Sequence, residues 1–245
     1  MSFKSKVLAG AASLALVGGV AVVGGLSAGA ATPSCGHRCV NLFSKKFSDF
    51  LTTKPPFVVD VYRQGARVGQ PIIMFQSSNA DPAEDFTRSL EGHVSDFVTA
   101  GLISPVVALH YGQAATPGNP NARDDLAVEY QYSPNGVNSG LCIGVFSTAF
   151  NNEGVTLQPC GVSAKTVWIV DRQNTAPGGV FTFPFRPLIN GSDTNFSQPF
   201  VLTYPPNGNP NDKPRPQLVT QNLHTFSRGQ VFDNQQWSAF FGILQ

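Results

Sequence analysis

Charge is scarce in this chain, and what little there is cancels. Only 13% of its 245 residues are charged, 16 Lys and Arg against 15 Asp and Glu. Without a basic surplus there is no electrostatic footprint for nucleic acid or an anionic membrane surface, and without an acidic one there is no case for solvated disorder. A partner has to be recognised by shape and hydrogen bonds. Enzyme motifs are missing too: there is no Gly-x-Ser-x-Gly elbow, no His-Glu-x-x-His helix, no phosphate-binding glycine loop and no dinucleotide fingerprint. The four histidines, His37, His93, His110 and His224, are scattered over separate segments. No catalytic residue, cofactor or metal ion is therefore assigned, and the chain is read as a non-enzyme.

Long apolar runs are absent as well, with one exception. Lys4 and Lys6 precede a charge-free stretch from Val7 to Leu26, which leaves through the small residues Ser27-Ala28-Gly29-Ala30-Ala31. These are the three regions of a secretory signal peptide, expected over residues 1–30, with cleavage after Ala30. An uncleaved anchor is the competing reading, but the run is rich in Gly and Ala and its exit suits a signal peptidase. Removing Lys4 and Lys6 turns the net charge of +1 slightly negative. A secreted protein with no membrane attachment after cleavage is expected, and in that setting four cysteines read as two disulfides in one of three connectivities. Cys35 and Cys39 are near neighbours. A metal site on them with His37 would lack a fourth ligand.

Plentiful residues point to β structure. The 24 Gly and 19 Pro disfavour helix interiors and punctuate short strands, and the 19 Phe are mostly core filling. Val40 to Leu51 carries apolar residues at helix-like intervals and is expected to be a short helix or turn, ended by Pro55-Pro56. Strand-like runs follow at Phe57–Tyr62, Ile72–Phe75, Val94–Ile103, Val128–Tyr130, Leu141–Phe146, Val155–Leu157, Trp168–Val170, Val180–Phe185, Phe200–Tyr204, Gln217–Leu223 and Trp237–Leu244. The spacing of Phe75 to Phe86 recurs between Leu157 and Trp168, whereas the third copy needs an insertion around His224 to Gly229. Two loops, Gly112–Asp125 and Pro205–Pro216, have almost no apolar residues and belong on the surface. Asn190-Gly-Ser and Asn195-Phe-Ser match the N-glycosylation pattern.

Residues 142 to 168 carry the most specific pattern: Cys142-Ile-Gly-Val, then Gly-Val-Thr-Leu-Gln-Pro-Cys160-Gly, then Thr-Val-Trp168. This stretch resembles one repeat of the ricin-B-type β-trefoil lectins. The resemblance implies an all-β fold, an enlarged β-trefoil of three pseudo-repeats, with a β-sandwich as the alternative. A disulfide loop and cap would occupy 31–56 and the trefoil 57–245, with repeats at about 57–126, 127–198 and 199–245. It further implies a Cys142–Cys160 disulfide, which leaves Cys35 for Cys39, and core anchors at Phe86, Trp168 and Trp237.

The same resemblance implies carbohydrate or glycoconjugate binding. Such sites use an Asp to hold sugar hydroxyls, a ring to stack on the pyranose, and an amide to orient it. Laid on repeat one, these roles fall to Asp60 and Phe75, with Asn79 or Gln76 standing in because the amide position is Ala83. Repeat two has Gly144 at the acid position and is expected to be empty. Repeat three offers Asn234 in Asn234-Gln235-Gln236-Trp237 but has Thr203 in place of the acid. A secreted protein is the alternative partner, as for a trefoil protease inhibitor anchored by Arg123 or Arg215. Glycoside hydrolysis stands third, with Glu84 and Asp85, Asp124 and Asp125, or Glu129 as the acids.

Overall fold

A computed structural model of the protein describes residues 39–47, 56–78, 81–113, 123–174 and 184–241. Its twelve strands fall into three groups of four. The first group is β1 (Val40–Ser44), β2 (Phe57–Val61), β3 (Ile72–Gln76) and β4 (Phe86–His93). Two short helices, α1 (Val94–Thr99) and α2 (Pro105–Tyr111), lead to β5 (Leu126–Tyr132), β6 (Leu141–Val145), β7 (Glu153–Pro159) and β8 (Trp168–Val170). The third group is β9 (Leu188–Asn190), β10 (Phe200–Thr203), β11 (Val219–Asn222) and β12 (Trp237–Phe241).

The pairings close on themselves. β1 pairs β4, β4 pairs β5, β5 pairs β8, β8 pairs β9, and β12 returns to β1 over its whole length. Arg186, just before β9, bridges Trp237 to complete the ring. Closure hides the strand edges that an open sheet would expose. The remaining strands form three hairpins, which hydrogen-bond to one another in a triangle: Leu157 donates to Gln70, Val155 to Leu218, and Leu218 to Ile72. Six ring strands capped by three cyclically related hairpins make a β-trefoil, so the sandwich alternative falls away.

Three anchors occupy the same place in each repeat. Phe86, Trp168 and Trp237 open β4, β8 and β12, each after a short 3-10 turn, and all are buried. The indole N–H of Trp168 donates to the carbonyl of Ile143 at 2.9 Å and that of Trp237 to Leu202 at 2.8 Å, so each ring is buried with its polar atom satisfied. The disulfide Cys142–Cys160 ties the start of β6 to the residue after β7. Cys39 is also disulfide-bonded; the expected partner, Cys35, lies outside the described residues, as does the signal peptide.

Two expectations from the sequence need correcting. Val40–Ser44 is the first strand of the ring, inside the segment expected to be a cap with a helix. All five residues are buried, because β1 is covered on both sides and has no solvent face to show alternation. Val94–Ile103, expected as a strand, holds α1 and the turn that follows it. Asp96 accepts from the backbone N–H of His93, Ser104 caps α2 by accepting from Val107, and Pro105 sits at its first turn. Val94, Phe97, Leu102, Ile103, Val107 and Tyr111 of this segment bury a second core against Ala127, Ile169 and Ile189. The strand expected at Val180–Phe185 lies mostly outside the described residues.

Candidate functional site

Repeat one builds a pocket at the outer end of its hairpin. β2 delivers Asp60, and the chain then turns sharply through Tyr62–Gln64, where Arg63 (φ 54°) and Gln64 (φ 56°) both adopt the left-handed conformation. Side chains with a Cβ pay about 1–2 kcal/mol each for that geometry, so two in succession mark a turn held by its surroundings. Gln64 donates to Asp81 at 3.1 Å, and Asp81 also accepts from the N–H of Ala83, starting the 3-10 turn Pro82–Glu84. β3 contributes Phe75, half-buried. Arg215 arrives from the long loop between β10 and β11 and lays its guanidinium over the Phe75 ring, 4.1 Å from the centroid. Asp60, Arg63, Phe75, Asp81 and Arg215 together line a cavity of about 190 Å³.

Electrostatics single out Asp60. The residue is 3% exposed, and among the described residues nothing donates a hydrogen bond to its carboxyl group. Burial pushes its pKa up to about 8, helped by the nearby Asp81 charge and opposed by Arg215. Glu84, 1% exposed, is pushed up to about 8 by burial as well, although the N–H of Ser78 and the hydroxyl of Ser77 donate to it. At neutral pH Asp60 is therefore a protonated acid that donates and accepts, rather than the carboxylate that accepts from two hydroxyls in the sequence-derived picture. Carboxyl oxygens of Asp60, Asp81 and Glu84 come within 4.8 Å of one another, a grouping that could hold one metal ion. Glu84 and Asp81 already spend oxygens on protein donors, and Arg215 adds positive charge beside Asp60, so the set fits a hydrogen-bonded acid cluster better than a cation cage.

The other repeats fill the same slot. Asp60, Gly144 and Thr203 are equivalent in the ladders, as are Glu84, Thr166 and Gln235 before the anchors. Gly144 packs directly on Lys165 and Thr166, where an added Cβ would meet atoms at 2.8 Å. Thr203 accepts from the side-chain amide of Gln235 at 3.2 Å. Only repeat one sets two acids against each other there.

Asp60 and Phe75, both named from the sequence, line this one cavity. Asn79 lies outside the described residues. Asn234 sits in repeat three, away from that pocket, with its amide donating to the carbonyl of Tyr204 at 2.7 Å. Of the other carboxylate pairs, Asp124 meets His93 at 2.8 Å, Asp125 meets Arg123 at 2.7 Å, and Glu129 is buried and accepts from Thr166 and Gly161. Arg123 also binds Asp171 and stacks on Tyr111, so it is part of the packing rather than a projecting anchor. Asn190 is fully buried in β9, its amide on Lys165, whereas Asn195 is exposed. Tyr62, Arg63 and Asp81 were not foreseen as site residues; the Asp81-Pro82 pair was the one local signal, as a capped turn. A larger cavity of about 290 Å³ lies within the ring, between Leu42, Tyr130, Leu188 and Trp237. It is an apolar gap between ring strands, with Arg88 at its edge paired to Glu91.

No known protein family and no curated protein matches this sequence. Among solved structures, the chain is similar to the designed three-fold symmetric protein ThreeFoil, at 12% identity over 82% of this chain and 96% of that one, with a TM-score of 0.46. It is also similar to the Rhizoctonia solani agglutinin, at 15% identity over 83% and 95% of the two chains and a TM-score of 0.45. An earthworm lectin C-terminal domain mutant in complex with 6'-sialyllactose follows at 13% identity, 82% and 97% coverage and 0.38. These likenesses concern fold; the site is read from the residues of this chain alone.

Proposed function

We propose that the protein is a secreted, lectin-like carbohydrate-binding protein whose sugar site is the repeat-one pocket. The observation that carries this reading is Asp60: a buried carboxyl group to which no described residue donates a hydrogen bond, facing an open cavity beside a half-exposed aromatic ring. Facing that cavity, the carboxyl group of Asp60 offers a sugar hydroxyl an acceptor and, when protonated, a donor as well. Secretion belongs to the same proposal and is supported by the disulfide. Among the described residues no helix is long and apolar enough to cross a membrane.

Binding suits the pocket better than hydrolysis, because both Glu84 oxygens are already engaged by protein donors and the group is almost fully buried. Protease inhibition loses its two anchors, since Arg123 is ion-paired inside the fold and Arg215 lies down on Phe75. The test is a broad glycan array probed with the mature protein and with Asp60→Ala. Binding by the wild type that drops at least tenfold in the variant is expected. A wild type that binds no glycan would overturn the proposal.

A further inference from the structure

We infer that the sugar taken by this pocket is anionic, and that Arg215 and Arg63 grip its carboxylate or sulfate group. The inference rests on the carbohydrate reading of the repeat-one pocket and names the class of sugar.

Two guanidinium groups line one small cavity, and neither makes a hydrogen bond or an ion pair with any described residue. The contrast with the other arginines here is sharp. Arg88 meets Glu91, and Arg123 meets Asp125 and Asp171. Instead, Arg215 is stacked on Phe75 and Arg63 on Tyr62, 4.9 Å from the ring centroid. Stacking on a ring face fixes the plane of the fork while leaving its N–H edges for a ligand, and it lowers the ordering cost that a free arginine would pay on binding. The Nε of Arg215 is buried with no partner among the described residues, so one of its donors is already out of water and unmatched there. A carboxylate or a sulfate is the group whose paired oxygens match such a fork.

Acids in the pocket do not cancel this. Asp60 carries its proton at neutral pH, and Asp81 has one oxygen taken by Gln64 and Ala83. Asp60 supplies what a simple anion would not need, a group that donates to and accepts from hydroxyls, which is why the ligand is a sugar bearing the charge rather than the bare ion. Arg63 adds a separate mark: its left-handed backbone aims the side chain back over Tyr62 at the lip of the cavity.

The experiment is calorimetric titration with three versions of one oligosaccharide: a uronate, its carboxyl-reduced neutral counterpart, and a sulfated form of that neutral sugar. Wild type, Arg215→Met and Arg63→Gln are compared after a melting curve shows each is folded. The expected result is at least tenfold tighter binding of a charged form than of the neutral one, a preference lost in Arg215→Met and reduced in Arg63→Gln. Tighter binding of the uronate than of the sulfated sugar assigns the carboxylate, and the reverse assigns the sulfate. Equal binding of charged and neutral forms, unaffected by either substitution, overturns the inference and leaves carbohydrate binding standing. No binding of any form by the wild type overturns both.

Discussion

Repeat one and its two companions share a framework and differ in one slot. In each, a hairpin residue faces the position two before the anchor of the fourth strand. Gly144 against Thr166 and Thr203 against Gln235 close that slot with a tight contact or a hydrogen bond. Asp60 against Glu84 leaves it electrostatically unsettled, with two raised carboxyl groups and a strained turn beside them. The difference teaches that one framework can close its slot with a tight contact or a hydrogen bond in two copies and keep an acid facing a cavity in the third. A slot that breaks local rules on an otherwise consistent scaffold is where a functional site is to be sought.

The comparison breaks most violently at the anchors. Trp168→Ala removes a fully buried ring and leaves the carbonyl of Ile143 without its donor, for an expected loss of about 3–5 kcal/mol in denaturant unfolding. The same substitution should leave glycan binding by the surviving folded fraction intact, since it lies outside repeat one.

A smaller effect comes from grafting the acid. Gly144→Asp puts a Cβ within 2.8 Å of Lys165 and Thr166, and an expected cost of about 1–3 kcal/mol follows from overpacking. No second glycan site should appear in titration; a gain of one would show that the acid alone makes the pocket.

The subtlest effect is on pH. Asp60 and Glu84 hold their protons in the folded state up to about pH 8, whereas in the unfolded chain they release them near their ordinary values of 3.8 and 4.5. Across that window the folded state binds more protons than the unfolded one, so their contribution to stability falls as pH rises and is greatest below about pH 4. Asp81 pushes in the same direction, while Arg215 near Asp60 and the Ser77 and Ser78 donors at Glu84 oppose it. Urea midpoints at pH 5 and pH 8 read this out: Glu84→Gln is expected to gain on the wild type at the higher pH. An equal difference at both values would remove the claim that the slot carries unfavourable charge.

The sequence made the anchors legible for a simple reason. Phe86, Trp168 and Trp237 are large residues at equivalent points before short strands, and Cys142 with Cys160 brackets one hairpin. The first strand hid itself, because a five-residue segment buried on both faces has no alternation to display. The helices after β4 were obscured by the apolar run Val94–Ile103, although Ser104-Pro105 is a start signal for α2. At the site, Asp60 and Phe75 were visible as types in a pattern. Their partners were not, because Glu84 reaches Asp60 through the turn that precedes β4, and Arg215 comes from a loop two repeats away. Such proximity is created by closure of the ring and its hairpin triangle, which no local window contains.

The most direct test of the account is the number of glycans bound per chain, measured by calorimetric titration with a monovalent oligosaccharide selected on the array. One site per chain, abolished by Asp60→Ala, is the result predicted from a single unfilled slot. Two or three equivalent sites, or one site that survives Asp60→Ala, would contradict it.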